Sequence, residues 1–386
     1  MNKIKANNME VKRINRNQIF RYVNKFEKVS KPDIALNLNI SMPTVLQNVK
    51  ELMEHGLICE EGAFESTGGR KAKVLSPLQN ARWAIGIDIT QNHVGFALTD
   101  LSGKVLRHTR MYKPFRSEDS YYKELGNLAH KFLEESNMDE ETFLGFGISI
   151  PGIVTPDNKT ITFSHVLGIK DVPCSSFSQF LNYPCYFIND ANAAGLAEIY
   201  NAKNQSTAVY LSLSNSVGGT IIQPKNNFDE TFQVSEKLYL GDNWRGGEFG
   251  HVTLIPGGEQ CYCGKQGCFD VYCSAKKLSQ KTEGKLEIFF EELQKGNREF
   301  EEMWEEYLGY LALEVNSLRM IFDCKIIIGG YVGSFIEPYL KRLQEKVALL
   351  NTFSKDETYI QPCRYQVEAS ALGAAILHIE SFISSI

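Results

Sequence analysis

Nowhere in the 386 residues does an apolar run approach the length of a membrane span. The first stretch, MNKIKANNMEVKRINRNQ, also lacks the apolar segment of a secretion signal. Neither insertion nor export is expected, and the expected compartment is cytoplasmic. A disulfide framework is missing as well. Of the nine cysteines, Cys59, Cys174, Cys185, Cys273, Cys324 and Cys363 are scattered without regular spacing, which fits a reducing compartment and no structural disulfide. Nor does one sign of charge dominate: the net charge is −5, with 43% hydrophobic and 23% charged residues. That balance is ordinary for a soluble globular protein, and the length allows two or three domains with a sizeable core.

The modest net charge conceals an asymmetry. Residues 1–75 hold 13 Lys/Arg against 8 Asp/Glu, so a basic first segment precedes an acidic body. Charge alone fits a solvated helical surface as readily as an anionic partner, but the pattern within the segment is more specific. Ile19, Phe20, Val23 and Phe26 recur at helical spacing over 15–26. Ser30, with Pro32 behind it, starts a second helix with Ile34, Ala35 and Leu38 on its apolar side. Ser41, with Pro43 behind it, starts a third that stops at Gly56. In that third helix Val45, Val49, Leu52 and Met53 share the inward face. Ser41, Thr44, Gln47 and Asn48 are then the candidates for reading base edges in a DNA groove. The following residues, LICEEGAFESTGGRKAKVLSP, predict two strands around a loop ending in Arg70 and Lys71, a cationic wing suited to the minor groove.

One stretch lies apart from both: GGEFGHVTLIPGGEQCYCGKQGCFDVYCS, residues 246–274. His251, Cys261, Cys263 and Cys268 offer one imidazole and three thiolates, the donor set of a tetrahedral zinc site. Cysteines are commonly small buried apolar residues, yet a polar, glycine-rich loop makes a poor core segment. Gly264 and Gly267 permit the left-handed backbone that would turn the sulfurs toward one point. Four protein ligands leave no open position, so the expected ion is structural, one Zn2+ per chain.

The same residues resemble the signature of the ROK family of repressors and sugar kinases. That signature reads Gly-Glu-x-Gly-His followed by Cys-x-Cys-Gly-x-x-Gly-Cys-x-Glu-x-x-x-Ser. The sequence departs from it at Asp270, where the family has Glu, and at Cys273, where it has Ala. The resemblance runs from about residue 10 to the C-terminus, and Gly68-Gly69-Arg70 is similar to the wing of ROK repressors. It implies an α/β fold: an actin-like ATPase, two-lobed sugar-kinase-like body behind an N-terminal winged helix-turn-helix. The expected boundaries are 1–76 for the DNA-binding domain, 77–82 for a linker, 83–200 with 366–386 for one lobe, and 201–365 for the lobe with the metal loop and dimerisation helices.

The resemblance also implies a ligand site. Asn189-Asp190-Ala191-Asn192-Ala193-Ala194 is similar to the family's sugar motif, whose Asp deprotonates a sugar hydroxyl in the kinases and accepts its hydrogen bond in the repressors. As helix caps alone, Asn189 and Asp190 would leave Glu248 and His251 unaccounted for. The expected sugar ligands are therefore Asn189, Asp190, Glu248 and His251, with Gly152, Ser164 and Asp270 beside them.

Where family kinases carry glycines that cradle phosphate, this chain has Ile89, Thr90, Gln91 and Asn92 after Asp88, and Ser214, Asn215 and Ser216 before Gly218-Gly219. Phosphoryl transfer depends on placing the phosphates, so a hexose kinase with a DNA-binding appendage is the less favoured alternative. The expected function is a non-enzymatic repressor of carbohydrate genes, released by a monosaccharide from a palindromic operator and acting as a homodimer or higher homo-oligomer. A blander alternative is an interaction protein with a vestigial sugar pocket.

Overall fold

The computed structural model describes residues 8–63, 73–200, 202, 206–223, 237–353 and 358–386. Three helices lead: α1 (Asn8–Phe26), α2 (Lys31–Leu38) and α3 (Met42–Glu54). The predicted caps are in place. Ser30 accepts from Asp33 N–H while the Asp33 carboxylate accepts from Ser30 N–H, and the Ser41 hydroxyl accepts from Thr44 N–H. Each cap is worth about 1 kcal/mol. The strands β1 (Ile58–Ala63) and β2 (Lys73–Pro77) then pair antiparallel as the predicted wing. Its tip, with Arg70 and Lys71, lies outside the described residues.

The first lobe is built on a five-stranded sheet of β3 (Trp83–Ile89), β4 (His93–Asp100), β5 (Val105–Tyr112), β6 (Phe143–Ile150) and β10 (Cys185–Asn189), in the order β10-β6-β3-β4-β5. The first three form an antiparallel meander. β6 runs parallel to β3, which requires a crossover, and α4 (Asp119–Glu134) supplies it. A small sheet of β7 (Ile153–Val154), β8 (Thr160–Ser164) and β9 (Ile169–Pro173), followed by the single turn α5 (Ser175–Ser178), sits before β10. Helix α6 (Asp190–Ile199) leaves the end of β10.

The second lobe repeats the plan. β11 (Ala208–Leu213), β12 (Val217–Ile222), β13 (Leu238–Tyr239), β14 (Lys325–Gly329) and β15 (Ile360–Pro362) lie in the order β13-β12-β11-β14-β15. Between Ala275 and Phe322 the chain forms three α-helices, ending in the long Arg298–Phe322 helix. Trp304, Tyr307, Leu308, Leu311 and Val315 on that helix are buried core. The C-terminal helix Ala369–Ser385 returns to the first lobe, with Leu372, Ala375, Ile376 and Ile379 buried against its sheet.

The N-terminal three-helix segment is not a bead on a linker. One apolar cluster joins Ile19, Phe20 and Val23 of α1 to Leu101 and to Ile379 and Ile383 of the C-terminal helix. Polar contacts cross the same boundary: Asn17 Nδ2 donates to Ile383 O at 2.6 Å, Asn24 Nδ2 to Leu101 O at 2.8 Å, and Arg21 pairs with Glu380. Helix α1 starts well before residue 15, and in that added stretch Arg13 Nη1 donates to Ser384 O at 3.0 Å. Two residues placed inward by periodicity, Phe26 and Met53, lie at the ends of their helices and remain exposed.

Candidate functional site

His251, Cys261, Cys263 and Cys268 come together as the spacing predicts. Their ligand atoms lie within 4.8 Å of one another. The backbone reason is visible at Gly264 and Gly267, whose φ values of 91° and 77° lie in the left-handed region. The two closest sulfurs, Cys263 and Cys268, are 3.7 Å apart; bonds of the zinc–thiolate length in a tetrahedron put sulfurs roughly 3.8 Å apart. His251 Nδ1 faces Cys261 Sγ at 3.9 Å, while Nε2 faces the Tyr262 hydroxyl at 3.5 Å. Burial pushes the Cys261 thiol up to about 12. The four side chains fit a divalent ion that prefers soft ligands, which would hold all three as thiolates.

Between the lobes runs a cavity of about 1280 Å³, lined by Gly152, Ser164, Asn189, Asp190, Glu248 and His251 among others. Six of the seven predicted sugar ligands thus share one space. Asn189 also caps α6, its Oδ1 accepting from Asn192 N–H, while its Nδ2 donates to Gly152 O at 3.2 Å. The capping role is real, and it fixes the amide at the cavity edge. Ser164 is buried, donating to Pro151 O and accepting from Leu167 N–H, so its hydroxyl braces the wall and is occupied by backbone.

Asp270 is the exception. It does not line the cavity: it is buried, and its carboxylate accepts the Val217 N–H at 2.6 Å. The carboxylate is one methylene shorter than the family's Glu and serves the β11–β12 turn instead. The cavity also takes residues that no motif marked, including Trp244 and Arg245 from the segment 241–247, His165 from the β8–β9 turn, and Tyr262 inside the metal loop. The only sequence signal for the first pair is a rare tryptophan within the glycine-rich run GDNWRGG.

Carboxylates crowd the inner end. Burial is the main reason the Asp190 carboxyl is pushed up to about 7, with Asp88 and Glu248 adding repulsion. Burial raises Asp88 to about 6, although the Ser149 hydroxyl and Arg110 pull it back down. Glu248 is also raised by burial. A carboxyl with a raised folded pKa binds its proton more tightly folded than unfolded. Stability from that source is therefore present below the ordinary value of 3.8 and is lost as pH rises toward about 7. Ligand-free melting temperature should accordingly fall across that window, and Asp190→Asn should flatten the slope by an amount on the order of a few kcal/mol. An unchanged slope in the variant would remove Asp190 as its source.

The altered phosphate loops are filled from within. Thr90 closes its own turn through His93 N–H and O, both at 3.0 Å. Ser214 Oγ accepts the Tyr331 N–H at 3.2 Å, directly beside Gly330. Gln91 Oε1 receives Lys276 Nζ across the lobes at 3.4 Å, and the Arg110 guanidinium lies 5.4 Å from the Tyr331 ring centre. Side chains occupy the backbone amides that a phosphate nest would present.

On α3, Val45, Val49 and Leu52 are buried as predicted, and Ser41 and Gln47 are exposed. Thr44 is half-buried, its hydroxyl 2.8 Å from Ser41 Oγ. Asn48 is a correction. It is 1% exposed, with Nδ2 donating to Thr44 O at 2.8 Å, so it packs within the helical bundle and cannot reach a groove. Leu46 and Lys50 stand on the exposed face in its place.

Comparison with known proteins agrees with this geometry. The chain is 28% identical over 282 residues to the xylose repressor of Bacillus subtilis strain 168, a match covering 71% of this chain and 69% of that protein. It is 24% identical over 275 residues to the DNA-binding transcriptional dual regulator NagC of Escherichia coli K12, covering 70% and 65%. Among solved structures, a ROK family transcriptional regulator described as a homolog of the E. coli MLC protein superposes over 97% of this chain and 98% of that one, with a TM-score of 0.75 at 18% identity. The two-lobed body with an N-terminal helical domain is thus a shared fold. Residues 84–381, nearly all of the body, match the ROK family model, and the chain belongs to the ROK family.

Proposed function

We propose that this protein is a sugar-responsive transcriptional repressor. The winged helix holds an operator, and a saccharide bound between the lobes releases it. The observation that carries this reading is the union, in one chain, of an exposed α3 face with a cavity offering Asn189, Asp190, Glu248 and His251, while the phosphate-loop positions are taken up by Thr90 and Ser214. Ionised or protonated, a buried carboxyl and an imidazole exchange hydrogen bonds with hydroxyl groups. Relatives named as repressors support the same class over a kinase. Among the described residues, no helix is long and apolar enough to cross a membrane.

In this reading Ser41, Thr44 and Gln47 face base edges, and the wing cations Arg70 and Lys71 supply phosphate or minor-groove charge. A homodimer would place two such helices on a palindromic site. Zinc in the His251, Cys261, Cys263 and Cys268 cluster would fix the imidazole and, through the short 249–251 turn, the Glu248 wall of the cavity. Elemental analysis should then give one zinc per chain, lost in Cys263→Ser; zinc retained at full stoichiometry would remove Cys263 from the ligand set.

The function is tested by fluorescence anisotropy with DNA fragments upstream of the protein's own gene and its neighbours, titrated with a sugar panel. Sequence-selective binding relieved by one sugar is the expected result. Gln47→Ala should relax sequence preference by about 1–3 kcal/mol at one position. Production of a sugar phosphate from ATP, abolished by Asp190→Asn, would instead make the protein an enzyme.

A further inference from the structure

The four motif residues are a small part of the cavity lining. Pockets for drug-sized ligands span roughly 300–1000 Å³, and a single sugar ring is smaller than such ligands, yet this space is about 1280 Å³. What lines the remainder is distinctive. The Tyr262 ring lies 5.4 Å from that of His251, the His165 ring 5.6 Å from Tyr262, and the Phe163 ring 4.3 Å from His165. His165 also lies 6.1 Å from the His251 ring, so His251, Tyr262 and His165 cluster beside the motif, Phe163 extends that cluster through its contact with His165, and all four rings border the cavity. Phe163 is 37% and Tyr262 50% exposed, and Trp244, also at the cavity wall, is 37% exposed. Apolar rings left open to water inside a cavity mark a surface that a ligand covers.

Trp244 adds a second sign. Its φ of 61° is one that a bulky residue adopts rarely, the kind of backbone outlier that clusters at ligand sites. The charge pattern narrows the ligand class. The lining carries Asp171, Asp190, Asp242 and Glu248 against Lys170 and Arg245, an excess of carboxylates that disfavours anions. A neutral, polyhydroxylated ligand with flat C–H faces fits both the polar motif and the aromatic cluster.

We propose that the effector is an oligosaccharide of two or more rings. Its terminal ring is held by Asn189, Asp190, Glu248 and His251, and its next ring stacks along Tyr262, His165 and Phe163. This rests on the sugar-site reading above and extends it to a second subsite.

Calorimetry on the full chain tests it with matched pairs: xylose and xylobiose, glucose and cellobiose, N-acetylglucosamine and its β-1,4 dimer. At least one disaccharide should bind about ten-fold tighter than its own monosaccharide, and in Phe163→Ala that ratio should collapse to about one. A monosaccharide binding as tightly as its dimer in every pair overturns the second subsite and leaves the sugar site standing. A ratio that survives in Phe163→Ala, with the variant's melting temperature unchanged, also overturns it. Failure of every sugar, short or long, to bind wild type would bring down the sugar-site reading itself.

Discussion

Gly86→Ala is expected to leave the protein largely unfolded or insoluble. The C-terminal helix Ala369–Ser385 lies directly on β3 and β6, and it can do so only because glycines face it. A Cβ on Gly86 would stand 1.6 Å from Ala371 O, and one on Gly147 would stand 1.9 Å from Ala374 O. The obstructing atoms are backbone, so no rotamer change relieves the clash, and the helix would have to lift from the sheet. Overpacking usually costs about 1–3 kcal/mol, and a clash with main chain belongs at or above the top of that range. A shift of this size consumes much of the roughly 5–15 kcal/mol that holds a typical domain folded. Gly309→Ala is the contrast: nothing lies within 4 Å of its added Cβ, and it sits inside the Arg298–Phe322 helix. That variant should gain about 0.5–1 kcal/mol. Urea midpoints that move equally for the two substitutions would contradict the flush helix-on-sheet packing.

Glu380→Gln should loosen the DNA-binding domain from the body. Glu380 meets Arg21 through a hydrogen bond of 2.9 Å from Nη1 to Oε1 and an ion-pair contact of 2.6 Å between Nη2 and Oε2, and only 7% of the Glu380 side chain is exposed against 23% for Arg21. Glutamine keeps the shape and one acceptor but strands the guanidinium beside Tyr200 and the apolar cluster. Breaking a buried pair costs about 3–5 kcal/mol, and the partial exposure of Arg21 places this one at the lower end. The pair faces α1, so the loss should appear first as faster proteolysis within residues 8–63 and weaker operator binding, before the body unfolds. Replacing both partners, as in Arg21→Met with Glu380→Leu, should recover most of the stability, because no charge is then left unpaired. Operator affinity and proteolysis indistinguishable from wild type in Glu380→Gln would show that the ion pair does not hold the domain.

Some of this was written locally in the chain. The metal cluster is four donors in eighteen residues with two glycines free to turn, and such a loop needs nothing distant to close it. The capped helices of the DNA-binding segment and the Asn189-Asp190 junction are likewise short-range, set by hydrogen bonds between residues three apart. Periodicity also placed Val45, Val49 and Leu52 correctly.

Sequence by itself therefore determined the family, the metal loop and most of the residues that gather at the cavity. Tertiary structure decided the rest. Asn48 is buried where α3 packs into the three-helix bundle, and Asp270 serves the β11–β12 turn, where its carboxylate accepts the Val217 N–H. The aromatic cluster gathers Phe163 and His165 from one lobe and Tyr262 from the other, and Arg21 finds its partner 359 residues away. The physical reason is the same in each case. Spacing along a chain fixes what neighbours can do together, whereas contacts between distant segments depend on how sheets and helices stack, and side chains then settle on whichever partner that stacking brings within reach.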